Sequence, residues 1–265
     1  MEKYIADCHI HSGFSFDSNE KIENIAMAAK EKNLSEIYMT EHFSVLEEDP
    51  SYGYFDYNGY SDAIKKASEK YGIKIKKGLE IGEGHRKKED IDEFIKDKNF
   101  DFIIGSLHNL GSDTLRMTFR KHGYDAMYEM YFEELYKMVC TADFDVLGHL
   151  DLAQRYSWIE GVKKQYDLSK YSDYIFETLK KIIDRGFGIE INTSFMKPDR
   201  NITLPRIEVI KMYKELGGEI ITVGSDSHKF DRVGENIEKT YELLRECGFR
   251  YISSFENRIC EFKNL

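Results

Sequence analysis

Histidines and carboxylates recur in short polar motifs, the first of which is "HIHSGFSFD" at residues 9–17. In an extended strand alternate side chains share a face, so we expect Asp7, His9 and His11 on one face and Cys8 and Ile10 on the other. Two neutral imidazoles on one face can bind a metal ion together. They can equally be ordinary polar residues at the end of a strand, and this motif alone leaves both interpretations open.

Further histidines and carboxylates follow in "TEHF", "GLEIGEGH", "GSLHN", "GHLD" and "GSDSH". Imidazole with carboxylate is a ligand set that suits zinc, iron or manganese. The candidate ligands are His9, His11, Asp17, His42, Glu80, His108, His149, Asp226 and His228. They are too many for one ion, so we expect two or three ions, spaced by about 3.5–4 Å as in two-metal sites. Such clusters hydrolyse phosphate esters and amides.

Strand and helix patterns alternate along the chain and must position these residues. Strands are predicted at "YIADCHIH", "EIYMTEHF", "IKIKKGLEIGE", "FDFIIGSLH", "FDVLGHLD", "FGIEINTS" and "EIITVGSDSH", and a terminal hairpin at "FRYISSFENRICEFKNL". Helices are predicted at "KIENIAMAAKEKN", "YSDAIKKASEKYG", "EDIDEFIKDKN", "PRIEVIKMYKELG" and roughly at residues 124–140, 171–185 and 235–247. Periodicity alone does not separate a barrel from an open sheet. A (β/α) barrel is favoured because it would gather the polar strand ends on one face, where such barrels carry their chemistry.

The composition limits the classes of function. The 265 residues carry a net charge of −10, which argues against a nucleic-acid partner. We find no signal-peptide pattern and no run of the ~18 apolar residues that a membrane span needs. The four cysteines lack C-x-x-C spacing, so reduced thiols in a cytoplasmic protein are expected. With three prolines and no linker, residues 1–265 are predicted to form one domain, and a homo-oligomer stays open.

The ordered motifs "HIHSGFSFD", "TEH", "GLE", "GSLH", "GHLD" and "GSDSH" resemble the polymerase and histidinol phosphatase (PHP) family over nearly the whole chain. With "INTS" and the chain length, they look most like the stand-alone histidinol-phosphate phosphatases of that family. The resemblance implies an α/β fold, a distorted seven-stranded (β/α)7 TIM-like barrel with a trinuclear zinc, iron or manganese site at the C-terminal ends of its strands. It also implies hydrolysis of L-histidinol phosphate to L-histidinol and phosphate in histidine biosynthesis.

The same resemblance implies a ligand arrangement: one ion on His9, His11, Glu80 and Asp226, a second on Glu80, His108 and His149, and a third on Asp17, His42 and His228. Glu80, Asp226 and His228 are the residues that we expect to matter most in catalysis. We expect a metal-bridging hydroxide to attack phosphorus in line, with no phosphoenzyme. The chain has neither a D-x-D-x-T motif nor a cysteine followed six residues later by arginine.

A phosphate ester is also bound by cationic side chains. Arg155 in "GHLDLAQRY", and Lys197 and Arg200 in "NTSFMKPDR", are candidates for this role, and each could instead be a solvated loop charge. In the resembling phosphatases an arginine is common in the second of these loops, where Lys197 is the nearest residue. His85 could line the pocket or protonate the leaving group, or be an ordinary loop histidine.

Two further groups of residues have more than one interpretation. Asp7 and Asp151 could orient ligand histidines, which we favour, whereas Glu41, Glu83 or Asp151 could attract a cationic substrate at the mouth of the site. The aromatic stretch at residues 51–62 could close over an imidazole, the interpretation that we favour slightly, or pack against the barrel.

Two alternatives to the principal function remain. One is a phosphoesterase of the same family that acts on another small phosphate ester or nucleotide. The other is a non-catalytic, metal-stabilised binding module. The complete ligand set counts against the second.

Overall fold

The structure is a computed structural model that describes residues 3–265, so the first two residues of the predicted domain lie outside the described part. Seven parallel strands form one sheet in the order β1 to β7. They are β1 (Ala6–Ile10), β2 (Glu36–Phe43), β3 (Lys74–Gly82), β4 (Phe102–Ser106), β5 (Val146–Leu147), β6 (Gly188–Asn192) and β7 (Ile221–Gly224). The predicted α/β barrel is confirmed, and most of the strand and helix positions agree with the sequence pattern.

The barrel is nearly closed by contacts between its first and last strands. Ile10 forms a parallel bridge with Ser227, just beyond β7. The amide of His11 donates to Ser227 O (2.9 Å), and the amide of Asp226 donates to His9 O (2.8 Å). The seam between β7 and β1 is therefore joined at the carboxyl end of the strands, by the segments that carry four of the candidate ligands.

The helices cover the outside of the barrel. They are α1 (Ile22–Glu31), α2 (Tyr57–Tyr71), α3 (Lys88–Ile95), α4 (Leu115–His122), α5 (Tyr124–Thr141), α6 (Ala153–Ile159), α7 (Leu168–Asp184), α8 (Ile207–Glu215) and α9 (Ile237–Glu246). In α7 the buried residues Tyr171, Ile175, Leu179 and Ile182 recur at helical spacing and pack on the strands. Burying each large apolar side chain contributes about 1.5–3 kcal/mol. Within residues 3–265, none of the helices combines the length and the apolar character that a membrane span requires.

A second, smaller core fills the barrel itself. It consists of Ala6, Cys8, Tyr38, Phe102, Ile104, Val146 and Phe255. All of these residues come from strands, and Phe255 belongs to the terminal hairpin of β8 (Tyr251–Glu256) and β9 (Ile259–Asn264). The hairpin therefore covers the amino-terminal end of the barrel and leaves the opposite end open to solvent.

The simple alternation that the sequence predicted for β1 is wrong. The pairing register with β2 shifts between Asp7 and Ile10, as at a β-bulge. Cys8 packs inside the barrel whereas Ile10 belongs to the core outside it, so these two residues do not share a face as predicted. The Asp7 carboxylate accepts hydrogen bonds from the amides of Ser225 (2.8 Å) and Gly234 (2.7 Å). Asp7 thus secures the β7 loop and does not contact an imidazole, contrary to the role favoured from the sequence.

Asp145, which precedes β5, connects the hairpin to the barrel. Its buried carboxylate accepts hydrogen bonds from Ile103 N (2.7 Å) and Arg258 Nε (3.1 Å). Burial raises the pKa of Asp145 to about 6, although Arg258 opposes the rise. Between about pH 4 and pH 6 the folded chain holds this proton and the unfolded chain does not, so this group makes the fold less stable as the pH rises.

Asp145→Asn removes this titration. The free energy of unfolding of the variant, relative to the wild type, is therefore expected to increase by about 2.5 kcal/mol between pH 4 and pH 8. Urea unfolding of both proteins at several pH values measures this difference. A difference that stays constant across the range would contradict the assignment.

Candidate metal centre

All nine candidate ligands meet at the open end of the barrel, with Glu80 at the centre. Glu80 Oε2 lies 3.3 Å from His9 Nε2 and 3.0 Å from His42 Nδ1. Its other oxygen, Oε1, lies 2.8 Å from His149 Nε2 and 3.2 Å from His108 Nε2. His11 Nε2 is a third imidazole nitrogen near Oε2, at 3.5 Å. A single buried carboxylate therefore faces five imidazoles from four strand ends, three on Oε2 and two on Oε1.

Of the remaining ligand candidates, Asp17 and His228 lie toward solvent. Asp17 Oδ2 is 3.1 Å from His228 Nε2 and 3.4 Å from His42 Nε2. Asp226 Oδ1 is 3.5 Å from His11 Nε2, between the buried and the exposed parts of the cluster. The side chains of Asp17 and His228 are 35% and 30% exposed, whereas His9 and His11 are fully buried.

His9 and His11 face each other through their Nε2 atoms, which are buried and 3.0 Å apart. His9 Nδ1 lies 2.5 Å from Glu190 Oε1, so this nitrogen carries a hydrogen. His11 Nδ1 lies 3.1 Å from Ser15 Oγ, which gives its own hydrogen to a carboxylate, so His11 Nε2 carries a lone pair that faces His9. Burial opposes a charge on His9, but Glu190, Glu80 and Asp226 raise the pKa of His9 well above its usual value. A proton on His9 Nε2 can therefore bridge the pair, and a metal ion can take the place of that proton.

The donors group into sets of the size that a metal ion uses. Ligand atoms lie within 4.8 Å of one another in three sets: His9, His11 and Asp226; His42, Glu80 and His108; and His11, His42 and His228. Shared members between the sets are what a multinuclear centre requires.

The carboxylates of the cluster draw positive charge onto the imidazoles. Burial alone would raise the pKa of Glu80, but His9, His108 and His42 hold it well below its usual value. Burial would lower the pKa of His42, yet Glu80 and Asp17 raise it to about 10. The cluster therefore favours added positive charge, which protons and metal ions compete to supply.

Two ligand candidates stand on unusual backbone. His149 and Asp226 have φ values of 23° and 52°, a left-handed region that side chains other than glycine rarely adopt. Such strain persists only where the surroundings enforce it, and it is concentrated at functional sites. At Asp226 the hydrogen bond from its amide to His9 O is one of the contacts that enforce this conformation.

Glu190 is a central residue that the sequence analysis missed. It is fully buried on β6, where Oε1 contacts His9 Nδ1 (2.5 Å) and Oε2 accepts from the amide of His149 (2.9 Å). A glycine makes room for it, because a Cβ at Gly224 would lie 2.5 Å from Glu190 Oε1. The available signal was a lone glutamate inside the apolar strand "FGIEIN".

Other carboxylates proposed for the pocket mouth are buried supports. Glu41 accepts from Ser12 Oγ and Ser15 Oγ, both at 2.6 Å. Glu83 accepts from the amide of His108 at 2.6 Å and holds the loop that carries this ligand. Neither carboxylate is exposed, so Glu41 and Glu83 are not placed to attract a cationic substrate at the mouth of the pocket.

Asp151 has a similar structural role. Its Oδ2 accepts from Tyr166 Oη (3.1 Å) and from the amide of Arg206 (3.0 Å), and the side chain is fully buried. It makes no hydrogen bond to an imidazole within the described residues. Both roles considered for Asp151 from the sequence are therefore replaced by one, the anchoring of the loop before α8.

The structure brings Arg155 to the cluster but moves His85 away. Arg155 Nη2 donates to Asp226 Oδ2 (2.8 Å) and Ser194 Oγ (2.5 Å). His85 Nε2 contacts Glu134 Oε1 (2.8 Å) on α5, and His85 does not line the pocket above the cluster. His85 is thus placed as an ordinary loop histidine, not as a substrate-binding residue.

Lys197 and Arg200 lie on the far side of Arg155. Lys197 Nζ is 3.9 Å from Glu235 Oε2. Arg200 donates from Nε to Phe195 O (2.8 Å) and borders a second groove that continues from the cluster past Arg155. Both cations are therefore near the site but not in contact with the ligand candidates.

The aromatic stretch at residues 51–62 mainly packs against the barrel. Tyr60 is buried and donates to Met39 O (2.7 Å), and Phe55 packs against the rings of Phe43 and Tyr60. Its beginning, Ser51, lines the pocket. For Phe55 and Tyr60, packing against the barrel therefore describes the structure better than closure over a substrate, which was the interpretation slightly favoured from the sequence.

A pocket of about 200 Å³ opens above the cluster. Beside the ligand candidates, its walls contain Phe16, Phe43, Asp49, Asn109, Leu152, Arg155 and Tyr156. The pocket thus combines a polar floor with apolar and charged walls, which is typical of a site for a small polar molecule.

Comparisons with known proteins agree with this geometry. The chain is 34% identical to a "Probable histidinol-phosphatase" of Clostridium acetobutylicum over 97% of its length and 99% of that protein's. It is 31% identical to a "Histidinol-phosphatase" of Lactococcus lactis, with 94% of this chain and 93% of that one covered. A crystal structure of the histidinol phosphate phosphatase from Lactococcus lactis, complexed with zinc, L-histidinol and phosphate, superposes with a TM-score of 0.82 at 26% identity, covering 97% of this chain and 98% of that one. The PHP domain model matches residues 7–194, and the chain belongs to the PHP domain family.

Proposed function

We propose that the protein is a metal-dependent phosphomonoesterase that hydrolyses L-histidinol phosphate to L-histidinol and phosphate, a step of histidine biosynthesis. The observation that carries the proposal is the convergence of six imidazoles and two further carboxylates around Glu80, in a chain whose full-length relatives are named for this activity. Support for the substrate comes from the zinc, L-histidinol and phosphate bound by the Lactococcus lactis enzyme.

In this proposal the metal ions are zinc, iron or manganese, and the nine residues hold them in three sets. His9, His11, Glu80 and Asp226 form the first set, Glu80, His108 and His149 the second, and Asp17, His42 and His228 the third. Bound ions of this kind supply Lewis acidity toward phosphoryl oxygens and an acidified water as nucleophile. The supporting observations are the contacts of both Glu80 oxygens with imidazoles and the close approach of His9 Nε2 to His11 Nε2.

Arg155 is the cation that we assign to the phosphoryl group. Its Nη2 is held by Asp226 and Ser194, while Nε and Nη1 make no hydrogen bond within residues 3–265. A guanidinium fixed at one nitrogen and free at the others can donate to two phosphoryl oxygens. We assign Lys197 and Arg200 a lesser role, attraction of the phosphate from the adjoining groove.

The remaining parts of the proposal concern partners and location. We propose a cytoplasmic protein that forms one domain over residues 1–265 and binds no nucleic acid. Its net charge of −10 and its unpaired cysteines support these assignments.

Phosphate release from L-histidinol phosphate tests the function. The metal-loaded protein is expected to release phosphate, a strong chelator to reduce release to background, and added Zn²⁺, Mn²⁺ or Fe²⁺ to restore it, because the ligand cluster would hold the catalytic ions. The control is a chelated sample that receives Mg²⁺ in the same concentration.

Three other results would point elsewhere. Release that persists after chelation contradicts metal dependence. Release from another phosphate ester but not from L-histidinol phosphate favours a different substrate in the same family. A metal-loaded protein that is inert toward every ester favours a binding module.

A further inference from the structure

One carboxylate of the pocket takes no part in the ligand cluster. Four carboxylates line the pocket, Asp17, Asp49, Glu80 and Asp226, and three of them face imidazoles. Asp49 follows β2 in the chain and is half-buried in the pocket wall with Pro50 and Ser51. Its role is therefore not explained by metal binding.

Asp49 is held in a defined position relative to the cluster. Its Oδ1 accepts from the amide (2.8 Å) and the hydroxyl (2.5 Å) of Ser51, and Oδ2 accepts from Asn109 Nδ2 (3.2 Å). The amide of Asn109 donates to Glu83 (2.7 Å), which also accepts from the amide of His108 (2.6 Å). A continuous chain of hydrogen bonds thus fixes Asp49 to the loop of a ligand histidine.

The charge of Asp49 has no protein partner. Within the described residues no lysine, arginine or histidine nitrogen lies within 4 Å of its carboxylate, whereas the neighbouring Glu48 pairs with Arg86 (2.9 Å). A half-buried carboxylate that receives neutral hydrogen bonds but no cation stays available for a positively charged ligand group.

Asp49 and Arg155 give the pocket two charged ends. Asp49 follows β2 and Arg155 follows β5, and β3 and β4 lie between these strands in the seven-stranded order. In a barrel of this size, loops that are three strands apart stand on different sides of the opening. A molecule on the ligand cluster can therefore direct an anionic group toward Arg155 and a cationic group toward Asp49.

We propose that Asp49 is a specificity-determining residue, which selects phosphate esters that carry an ammonium or imidazolium group close to the ester. The inference rests on the proposed function, since L-histidinol phosphate carries an amine and an imidazole beside its phosphate. It extends that function by naming the residue that distinguishes this substrate from phosphate esters without a cationic group. The ligand cluster and Arg155 alone would bind both kinds of ester equally well.

The test compares kcat/KM of Asp49→Asn and of the wild type for L-histidinol phosphate and for p-nitrophenyl phosphate, an ester that has no cationic group. For L-histidinol phosphate, kcat/KM is expected to fall about 10–100-fold, mainly through KM, as for the loss of a hydrogen bond between charged groups. For p-nitrophenyl phosphate the change should stay below about 3-fold. Inhibition by the product L-histidinol should weaken in parallel. Glu48→Gln, which alters the adjacent exposed carboxylate outside the pocket, is the matched control.

Two results would overturn the inference. An equal loss on both esters, or a lower metal content of Asp49→Asn, would show that Asp49 acts through Asn109 on the His108 loop. Unchanged kcat/KM for L-histidinol phosphate would show that Asp49 does not contact the cation.

Failure of the proposed function is a separate outcome. If the wild type hydrolyses p-nitrophenyl phosphate but not L-histidinol phosphate, the proposed substrate is wrong. The role of Asp49 is then decided by comparing the hydrolysis of O-phosphoethanolamine, whose alcohol part carries an ammonium group, with that of ethyl phosphate, which is of similar size and has no cationic group. A higher kcat/KM for O-phosphoethanolamine that Asp49→Asn abolishes supports the inference, and equal values overturn it.

Discussion

Replacing Glu80 with glutamine is expected to reduce phosphate release from L-histidinol phosphate by roughly 1,000-fold or more. Loss of an outer partner of a metal ligand already costs about 10–100-fold, and in the proposed arrangement Glu80 would be a direct ligand of two metal ions. Its Oε2 faces three imidazoles and its Oε1 faces two. Glutamine removes the negative charge and turns an N–H₂ group toward one of these two groups of imidazoles, so one side loses its shared ligand.

The measurement is kcat at saturating metal, together with the number of metal ions per chain by elemental analysis. Glu93→Gln on α3, a glutamate that is 74% exposed, is the control for the same chemical change. Unfolding curves of both variants separate loss of the site from loss of the fold. Turnover close to the wild-type value in a folded Glu80→Gln protein would contradict the assignment of Glu80 as a ligand shared by two metal ions.

Replacing Glu190 with glutamine is expected to weaken metal binding by about 10–100-fold and to lower activity at limiting metal by the same factor. The carboxylate accepts from His9 Nδ1 with one oxygen and from the amide of His149 with the other. Glutamine has one acceptor oxygen, so it must leave one of these donors unpaired in a fully buried site. His9 would then lose either its orientation or the basicity that the negative charge gives its ring.

A competition titration with a chromophoric chelator measures this affinity without using activity. Thr222→Val is a matched control, because Thr222 pairs with Glu190 in the sheet register and its buried hydroxyl has no hydrogen-bond partner. We expect this variant to keep the wild-type affinity. Unchanged affinity in a folded Glu190→Gln protein would show that His9 needs no such support.

The fold and the ligand cluster could be predicted from sequence for one physical reason. Parallel strands of a barrel end on the same face, so polar residues at "TEHF", "GSLH" and "GSDSH" had to converge once the strands were found. The short helices α4 and α6, of eight and seven residues, were missed.

The supporting residues were harder to predict, because their roles depend on three-dimensional neighbours. Glu190 lies inside a strand and becomes a support only through His9 on β1 and the amide of His149 after β5. Asp7 and His85 likewise take their roles from distant partners, the loop after β7 for Asp7 and Glu134 on α5 for His85. The sequence pattern therefore identified the candidate metal ligands better than it identified the residues that orient those ligands.

The seam of the barrel gives metal binding a second consequence. Asp17 and His228, which are 211 residues apart in the chain, belong to segments that meet where β7 joins β1. An ion held by both would join the two ends of the folded chain, and because its ligands come together only in the folded state, its binding would stabilise the fold by mass action. Loss of metal is therefore expected to loosen the first and last strands together, so that the folding of this chain would depend on the supply of the ions that its chemistry uses.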